Sequence, residues 1–336
     1  MRARFSLVGS VGLCYLKKTL SRFAITGAAG FIGSNLARAI LERGHAVVGI
    51  DNFLTGKREN LAWIAGDFEL VEGDVRDLDL LRRAFRGANY VLHHAALASV
   101  PWSVAEPKLA HDHNATGTLN ALVAARDVGV DRFVLASTSA VYGDEAVVPS
   151  REDHALKPES PYAATKLIGE LYAALFHRAY GLPTVSLRYF NVFGPRQDPK
   201  SAYAAAIPIF VRKALAGEAP VIFGDGEQTR DFVYVDDVVA ANLLACAAGP
   251  EACGEAFNIG GGGRVTVNAL CREIIALVGA NVAPVHAPPR AGDVRHSQAD
   301  IGKARRSLGF EPAFDVAKGL QKAIGWYEGG RARDEA

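Results

Sequence analysis

With 336 residues, 49% hydrophobic and 22% charged, the chain is long enough for one large or two intergrown globular domains. A formal net charge of +1 excludes the global basic excess of a nucleic-acid binder, so no nucleic-acid partner is expected. No apolar run reaches the ~18 residues that a membrane helix needs, so no membrane partner is expected either. Four cysteines (Cys14, Cys246, Cys253, Cys271) form no C-x-x-C pair and no metal spacing, which points to reduced thiols in a cytoplasmic protein. His93-His94 and His111-Asp112-His113 come without an H-E-x-x-H motif or a Cys/His grid, so no metal is expected.

Residues 1–21 open with Met1-Arg2-Ala3-Arg4 and an apolar Phe5 to Leu16, faintly like a signal peptide. Lys17-Lys18 follow and no small-residue cleavage site precedes a mature start. The segment reads as an N-terminal helix, a poorly ordered arm or a start codon placed too early. Phe23-Ala24-Ile25-Thr26 is then a short apolar, β-branched run, which predicts a buried strand. It leads into Gly27, Gly30 and Gly33, and a helical pattern from Ser34 to Arg43 follows. Strand, glycine turn and helix in that order make a phosphate-binding corner, built from Gly27, Gly30, Phe31, Ile32 and Gly33. Gly27 permits the sharp turn, Gly30 the approach of a pyrophosphate, and Gly33 close packing of helix on strand. The spacing departs from G-x-G-x-x-G, and a lone glycine triplet also fits an ordinary strand–helix turn. Asp51 decides between them. It ends the second apolar run, Ala46 to Ile50, where a carboxylate accepts the adenosine ribose hydroxyls and repels a 2′-phosphate, favouring NAD over NADP.

Asn52 to Lys57 is a polar loop suited to rim the adenosine pocket. Phe68 to Val71 predicts a third strand. Beyond it, Asp74-Val75 falls where a side chain would meet the adenine amino group, although Asp74 fits a helix N-cap equally well. A fourth strand, Tyr90 to His94, ends in Ala95-Ala96, small enough for a planar cofactor to lie against. A helical pattern over 109–128 precedes a fifth strand, Phe133 to Ala136. Alternating strands and helices predict an α/β fold with a doubly wound parallel sheet of the Rossmann kind, its ligands at the carboxyl ends of the strands.

Ser137-Thr138-Ser139 lies at such an end. Ser160 and Pro161 then start a helix, as N-cap and first helical residue. That helix stacks Tyr162 and Lys166 on one face, ~6 Å apart along its axis. An isolated Tyr-x-x-x-Lys fits a solvent-facing helix; after a hydroxyl pair in a dinucleotide fold it reads as a general base with its cation. Working near pH 7 requires the phenol to drop roughly 3 units from about 10, and Lys166, the helix start and an oxidised nicotinamide all push that way. Thr138 would hold the same sugar hydroxyl, and Lys166 the nicotinamide ribose.

At this point the chain resembles the extended short-chain dehydrogenase/reductases that act on nucleotide sugars. The resemblance runs from about Phe23 to near the C-terminus. It is carried by Gly27-Ala28-Ala29-Gly30-Phe31-Ile32-Gly33, Asp51-Asn52, Tyr162-x-x-x-Lys166, Arg188-Tyr189-Phe190-Asn191-Val192-Phe193-Gly194-Pro195, Arg230-Asp231-Phe232-Val233-Tyr234-Val235-Asp236-Asp237 and Arg290-Ala291-Gly292-Asp293. It implies Thr138, Tyr162 and Lys166 as the catalytic trio, and adds Tyr189 to the cofactor site. Asn191, Arg230, Arg290 and Asp293 would bind a UDP-sugar, the arginines forking onto its diphosphate.

Within the family the chain looks most like the UDP-N-acetylglucosamine 4-epimerases, through Ala98-Ser99-Val100-Pro101, Ala202-Tyr203-Ala204-Ala205 and the stretch from Gly292 to Asp300. Related 4,6-dehydratases carry Asp-Glu after the catalytic threonine, and the decarboxylases a Glu at the second position. Ser139-Ala140 here lacks those carboxylates, so elimination or decarboxylation loses its auxiliary acid/base, while simple oxidation at C4 does not need it. By the same likeness Tyr203 belongs to the sugar site, Ser297 replaces a bulky pocket wall, and Ser139 reaches a 2-N-acetyl group. UDP-glucose or UDP-glucuronate 4-epimerisation is the alternative, and a non-catalytic NAD-binding regulator a third. The expected layout is an NAD domain over 22–185, rejoined by 233–263, and a smaller C-terminal substrate domain over 186–232 and 264–336. The helices near 109–128 and 161–180 are expected to build a homodimer.

Overall fold

The computed structural model describes residues 20–144, 146–199, 205–289 and 294–334. Most of the N-terminal arm lies outside these residues, as do Tyr203, Arg290 and Asp293. The first half contains β1 (Arg22–Thr26), α1 (Phe31–Leu41), β2 (Ala46–Asp51), β3 (Phe68–Glu72), α2 (Leu78–Ala84), β4 (Tyr90–His93), α3 (Val100–Ala105), α4 (Pro107–His111), α5 (Gly117–Val128), β5 (Arg132–Thr138), α6 (Pro161–Tyr180) and β6 (Thr184–Tyr189). The second half contains β7 (Asn191–Phe193), α7 (Ala206–Leu215), β8 (Val221–Phe223), β9 (Thr229–Arg230), β10 (Phe232–Tyr234), α8 (Val235–Ala247), β11 (Glu255–Ile259), β12 (Val265–Thr266), α9 (Val267–Val278), β13 (Val285–Ala287), α10 (Gly302–Leu308) and α11 (Val316–Asp334).

Seven strands form one parallel sheet in the order β11-β6-β5-β4-β1-β2-β3. All six residues of β2 are buried, which is why it reads as an unbroken apolar run: helices cover both faces of the sheet. α1, α8 and α10 pack on one face and α2, α5 and α6 on the other. At the exposed edge, β3 carries Glu69 and Glu72, paired with Arg22 and Arg58 at 2.6 and 2.5 Å. Such charges discourage further strand addition. β6 runs to Tyr189, so the sheet extends past residue 185, and β11 returns to pair with it.

A third apolar core joins α7, α9 and α11 into a smaller lobe. Three two-stranded sheets, β7–β10, β9–β12 and β8–β13, link that lobe to the ends of the main strands. The expected helix over 109–128 is present, and a π-helical turn over Asp112–Thr116 joins α4 to α5 within it. There Asn114 turns inward, accepting from Leu97 N (2.7 Å) and donating to Leu97 O (3.2 Å) and Thr165 Oγ1 (3.0 Å). Pro208 does not interrupt α7. It falls in the first turn, where its missing N–H costs no internal bond.

Candidate active site

The glycine turn is as tight as the spacing predicts. Gly27 has φ of 71°, and a β-carbon there would lie 2.8 Å from Ala95 N. One on Gly33 would meet the Gly27 carbonyl at 2.1 Å, so α1 sits directly on the strand end. No side chain caps α1 and its first turn holds no acidic residue, which leaves its start suited to an anion. A narrow cleft gathers Gly27, Gly30, Asp51, Asn52, Val75, Ala95 and Ala96. Phe31, Ile32 and Gly33 form the first turn of α1 beside it.

Asp51 is buried, which raises its carboxyl above the ordinary value, and it accepts from Ala29 N and Phe53 N, both at 2.8 Å. Asp74 is not the N-cap of α2; Asp77 is, accepting from Leu80 N. Asp74 instead joins Asn52 (2.8 Å) and Arg76 (2.8 Å). Partial burial opposes its charge, and hydrogen bonds from the Arg76 side chain, the Arg76 N–H and Asn52 together outweigh burial and hold the carboxyl well below the usual range. This fixes Asn52 and Asp74, both expected on the adenosine side, against each other. These residues fit NAD.

Beneath the cleft, a buried chain sets the backbone of Ala95. Thr26 Oγ1 accepts from His94 N and Ala95 N, both at 3.2 Å. Its own proton therefore points to His93 Nδ1 (2.8 Å), and the network assigns the Nε2–H of His93 to Thr118 Oγ1 (3.1 Å). Burial keeps His93 neutral. The doublet His93-His94 was visible in the sequence; its network was not. Tyr189, expected at the cofactor, is buried, with its hydroxyl accepting from Asn242 Nδ2 (2.8 Å) and facing His94 Nε2 (3.0 Å). It supports His94 from behind.

Thr138, Tyr162 and Lys166, the three residues expected to be catalytic, meet where α6 packs on the end of β5. Ser160 Oγ caps α6 by accepting from Ala163 N (3.2 Å), with Pro161 first in the helix. Ser103 Oγ, on α3, accepts from Tyr162 N (3.0 Å), an anchor that no motif announced. The Thr138 hydroxyl hydrogen-bonds the half-buried Tyr162. One expectation needs correction. Burial raises the Tyr162 phenol above its ordinary value and only the Thr138 bond opposes it; Lys166 does not acidify it in this arrangement. The Lys166 ammonium instead donates to Ala136 O at 2.9 Å, and burial pushes it down to about 8 while Glu170 pulls it back up.

Ser139, Asn191, Arg230 and Ser297 line one cavity of about 1090 Å³ between the sheet ends and the smaller lobe. Asn191 Nδ2 donates to Asp231 O (3.0 Å), and Ser297 N donates to Thr229 O (3.0 Å).

Residues 23–260 match the NAD dependent epimerase/dehydratase family. The chain belongs to that family. A UDP-glucose 4-epimerase of Mycolicibacterium smegmatis is 41% identical over 311 residues, 91% of this chain and 98% of that one. The crystal structure of a Thermotoga maritima UDP-glucose 4-epimerase with UDP-glucose superposes with a TM-score of 0.88 at 40% identity, covering 92% of this chain and 99% of that one. A Methanobrevibacter ruminantium UDP-N-acetylglucosamine 4-epimerase in complex with UDP-N-acetylmuramic acid gives 0.88 at 38% identity, covering 93% and 99%. NAD is the cofactor of this epimerase/dehydratase, and the residues of the cleft around Gly27 and Asp51 fit it.

Proposed function

We propose that this nucleotide-sugar 4-epimerase interconverts UDP-N-acetylglucosamine and UDP-N-acetylgalactosamine. The observation that carries the reading is the pair of serines, Ser139 and Ser297, lining the same cavity as Asn191 and Arg230. Two small hydroxyl side chains leave room for an acetamido group and offer it hydrogen bonds. Asp144 and Glu159 line that cavity too, which disfavours the carboxylate of a UDP-glucuronate.

NAD, when bound, supplies the hydride acceptor and a positive charge near the phenol. Tyr162 then takes the proton of the C4 hydroxyl, with Thr138 holding that hydroxyl in line. Lys166 spends one of three donors on Ala136 O and directs the others to a ribose. Arg230 grips the diphosphate while the 4-keto sugar turns its other face, and Tyr162 returns the proton. Ser139-Ala140 after Thr138 provides no carboxylate for elimination, which favours epimerisation over dehydration.

The relatives named as UDP-glucose 4-epimerases, at 40–41% identity, favour UDP-glucose as the second reading. Offering each sugar without added coenzyme and resolving the C4 epimers by proton NMR tests both. Formation of UDP-N-acetylgalactosamine is the expected result, and turnover of UDP-glucose alone would overturn the proposal. We place the enzyme in the cytoplasm as a homodimer. The support for the dimer is an apolar groove of about 420 Å³ between α6 and the α4–α5 segment, where Leu171 is 62% exposed. Among the described residues no helix is long and apolar enough to cross a membrane.

A further inference from the structure

We propose that Asp231 is a positioning residue that assembles the nucleotide end of the substrate pocket. Its buried carboxylate locks three segments distant in sequence into one register. The inference rests on the nucleotide-sugar reading above. Asp231 sits between β9 and β10, directly after Arg230, and is fully buried. Oδ1 accepts from Gly261 N at 2.6 Å and Oδ2 from Ala299 N at 2.9 Å, and Gly262 N donates as well. The two oxygens therefore hold two separate stretches, the turn after β11 and the stretch that follows Ser297.

The main chain of the same residue holds a third. Asp231 O accepts from both Asn191 N and Asn191 Nδ2, each at 3.0 Å. The cavity wall is thereby strapped to the strand that carries Arg230. Thr229 O accepts from Ser297 N (3.0 Å), Thr229 N donates to Arg295 O (3.0 Å), and Thr229 Oγ1 meets His296 Nδ1 (2.9 Å). Asn191, Arg230 and Ser297 all line the cavity, and all three are referred to Asp231 or to Thr229 two residues before it. Small residues make the clamp possible. A β-carbon on Gly260 would lie 2.9 Å from Asp231 Oδ2, and one on Gly261 would lie 2.6 Å from Phe232 O. Only a carboxylate accepts on both oxygens; an amide in its place turns an N–H toward an N–H.

The test compares wild type with Asp231→Asn and, from the opposite side of the clamp, Gly261→Ala. Each is assayed for retained NAD, for UDP binding by calorimetry, and for KM and kcat with the UDP-sugar. Both variants should keep NAD, because the dinucleotide cleft is built elsewhere. Both should weaken UDP roughly ten- to hundredfold, with KM rising in step and kcat falling far less. If Asp231→Asn fails to fold, Gly261→Ala carries the test. Wild-type UDP affinity in either folded variant would overturn the clamp, as would a fall confined to kcat. A wild-type protein that does not bind UDP at all would instead overturn the substrate reading, and the clamp with it.

Discussion

Replacing Glu170 with Gln should shift the charge state of Lys166 as well as weaken the fold. Glu170 lies one helical turn beyond Lys166 on α6, with the Arg188 guanidinium on its other side. Arg188 Nη2 and Nε donate to the carboxylate at 2.7 and 3.0 Å, Ser137 Oγ donates to it, and Arg188 Nη1 reaches Tyr142 OH at 2.9 Å. Lys166 is already pushed down to about 8 by burial, and Glu170 is what pulls it back. A unit charge about 6 Å along the helix, at an effective dielectric near 20, is worth about 3 kcal/mol, or about 2 pK units. Part of that pull is cancelled by Arg188, so the alkaline limb of kcat should move toward acid by about 1–2 units in Glu170→Gln. Leaving Arg188 buried without its partner should cost about 3–5 kcal/mol, read as a lower melting temperature. The assays are a kcat–pH profile with saturating UDP-sugar and thermal unfolding. A lowered melting temperature with an unmoved alkaline limb would refute the link to Lys166 and leave the ion pair purely architectural.

Tyr162→Phe should lower kcat about 10²–10⁴-fold while UDP affinity, set in the other lobe, stays at the wild-type value in calorimetry. Ser297→Tyr should narrow the cavity wall and cost UDP-N-acetylglucosamine about ten- to hundredfold in kcat/KM, with UDP-glucose spared; equal losses on both sugars would count against Ser297 as the discriminating wall. Asp237 accepts from Ala313 N (2.8 Å) and Phe314 N (3.3 Å), and burial pushes its carboxyl up to about 6 from 3.8. The folded state therefore binds this proton more tightly than the unfolded chain, and stability drops as pH rises through 4 to 6. The difference of 2.2 units corresponds to about 3 kcal/mol, so unfolding of Asp237→Asn measured against wild type should move in the variant's favour by up to that much between pH 4 and pH 7.

What was legible in the sequence was whatever depends on neighbours along the chain. The turn from β1 to α1 could be read because glycines three apart leave few other backbone paths, and Asp51 could be read because a strand end fixes where its side chain emerges. Ser160, Pro161, Tyr162 and Lys166 share one helical start, so a cap and a four-residue spacing were enough to place Tyr162 and Lys166 one turn apart on α6. What stayed hidden depends on residues 17 to 59 positions apart meeting in the interior. Nothing near Asn114 predicts that it would reach back to Leu97 and across to Thr165 from a π-helical turn inside the helix expected over 109–128. Nothing near Tyr162 predicts that Ser103 would hold its N–H. The surroundings of the Tyr162 phenol stayed hidden for a related reason. Spacing places Lys166 one turn away but does not say where its ammonium points, and it points to the Ala136 carbonyl, with Glu170 and Arg188 behind it. Burial raises the phenol in this arrangement, and an oxidised nicotinamide, when bound beside it, would supply the positive charge that pulls it down. With Tyr162 as the proposed base, proton removal would then be tied to the oxidised cofactor, the state that can also accept the hydride.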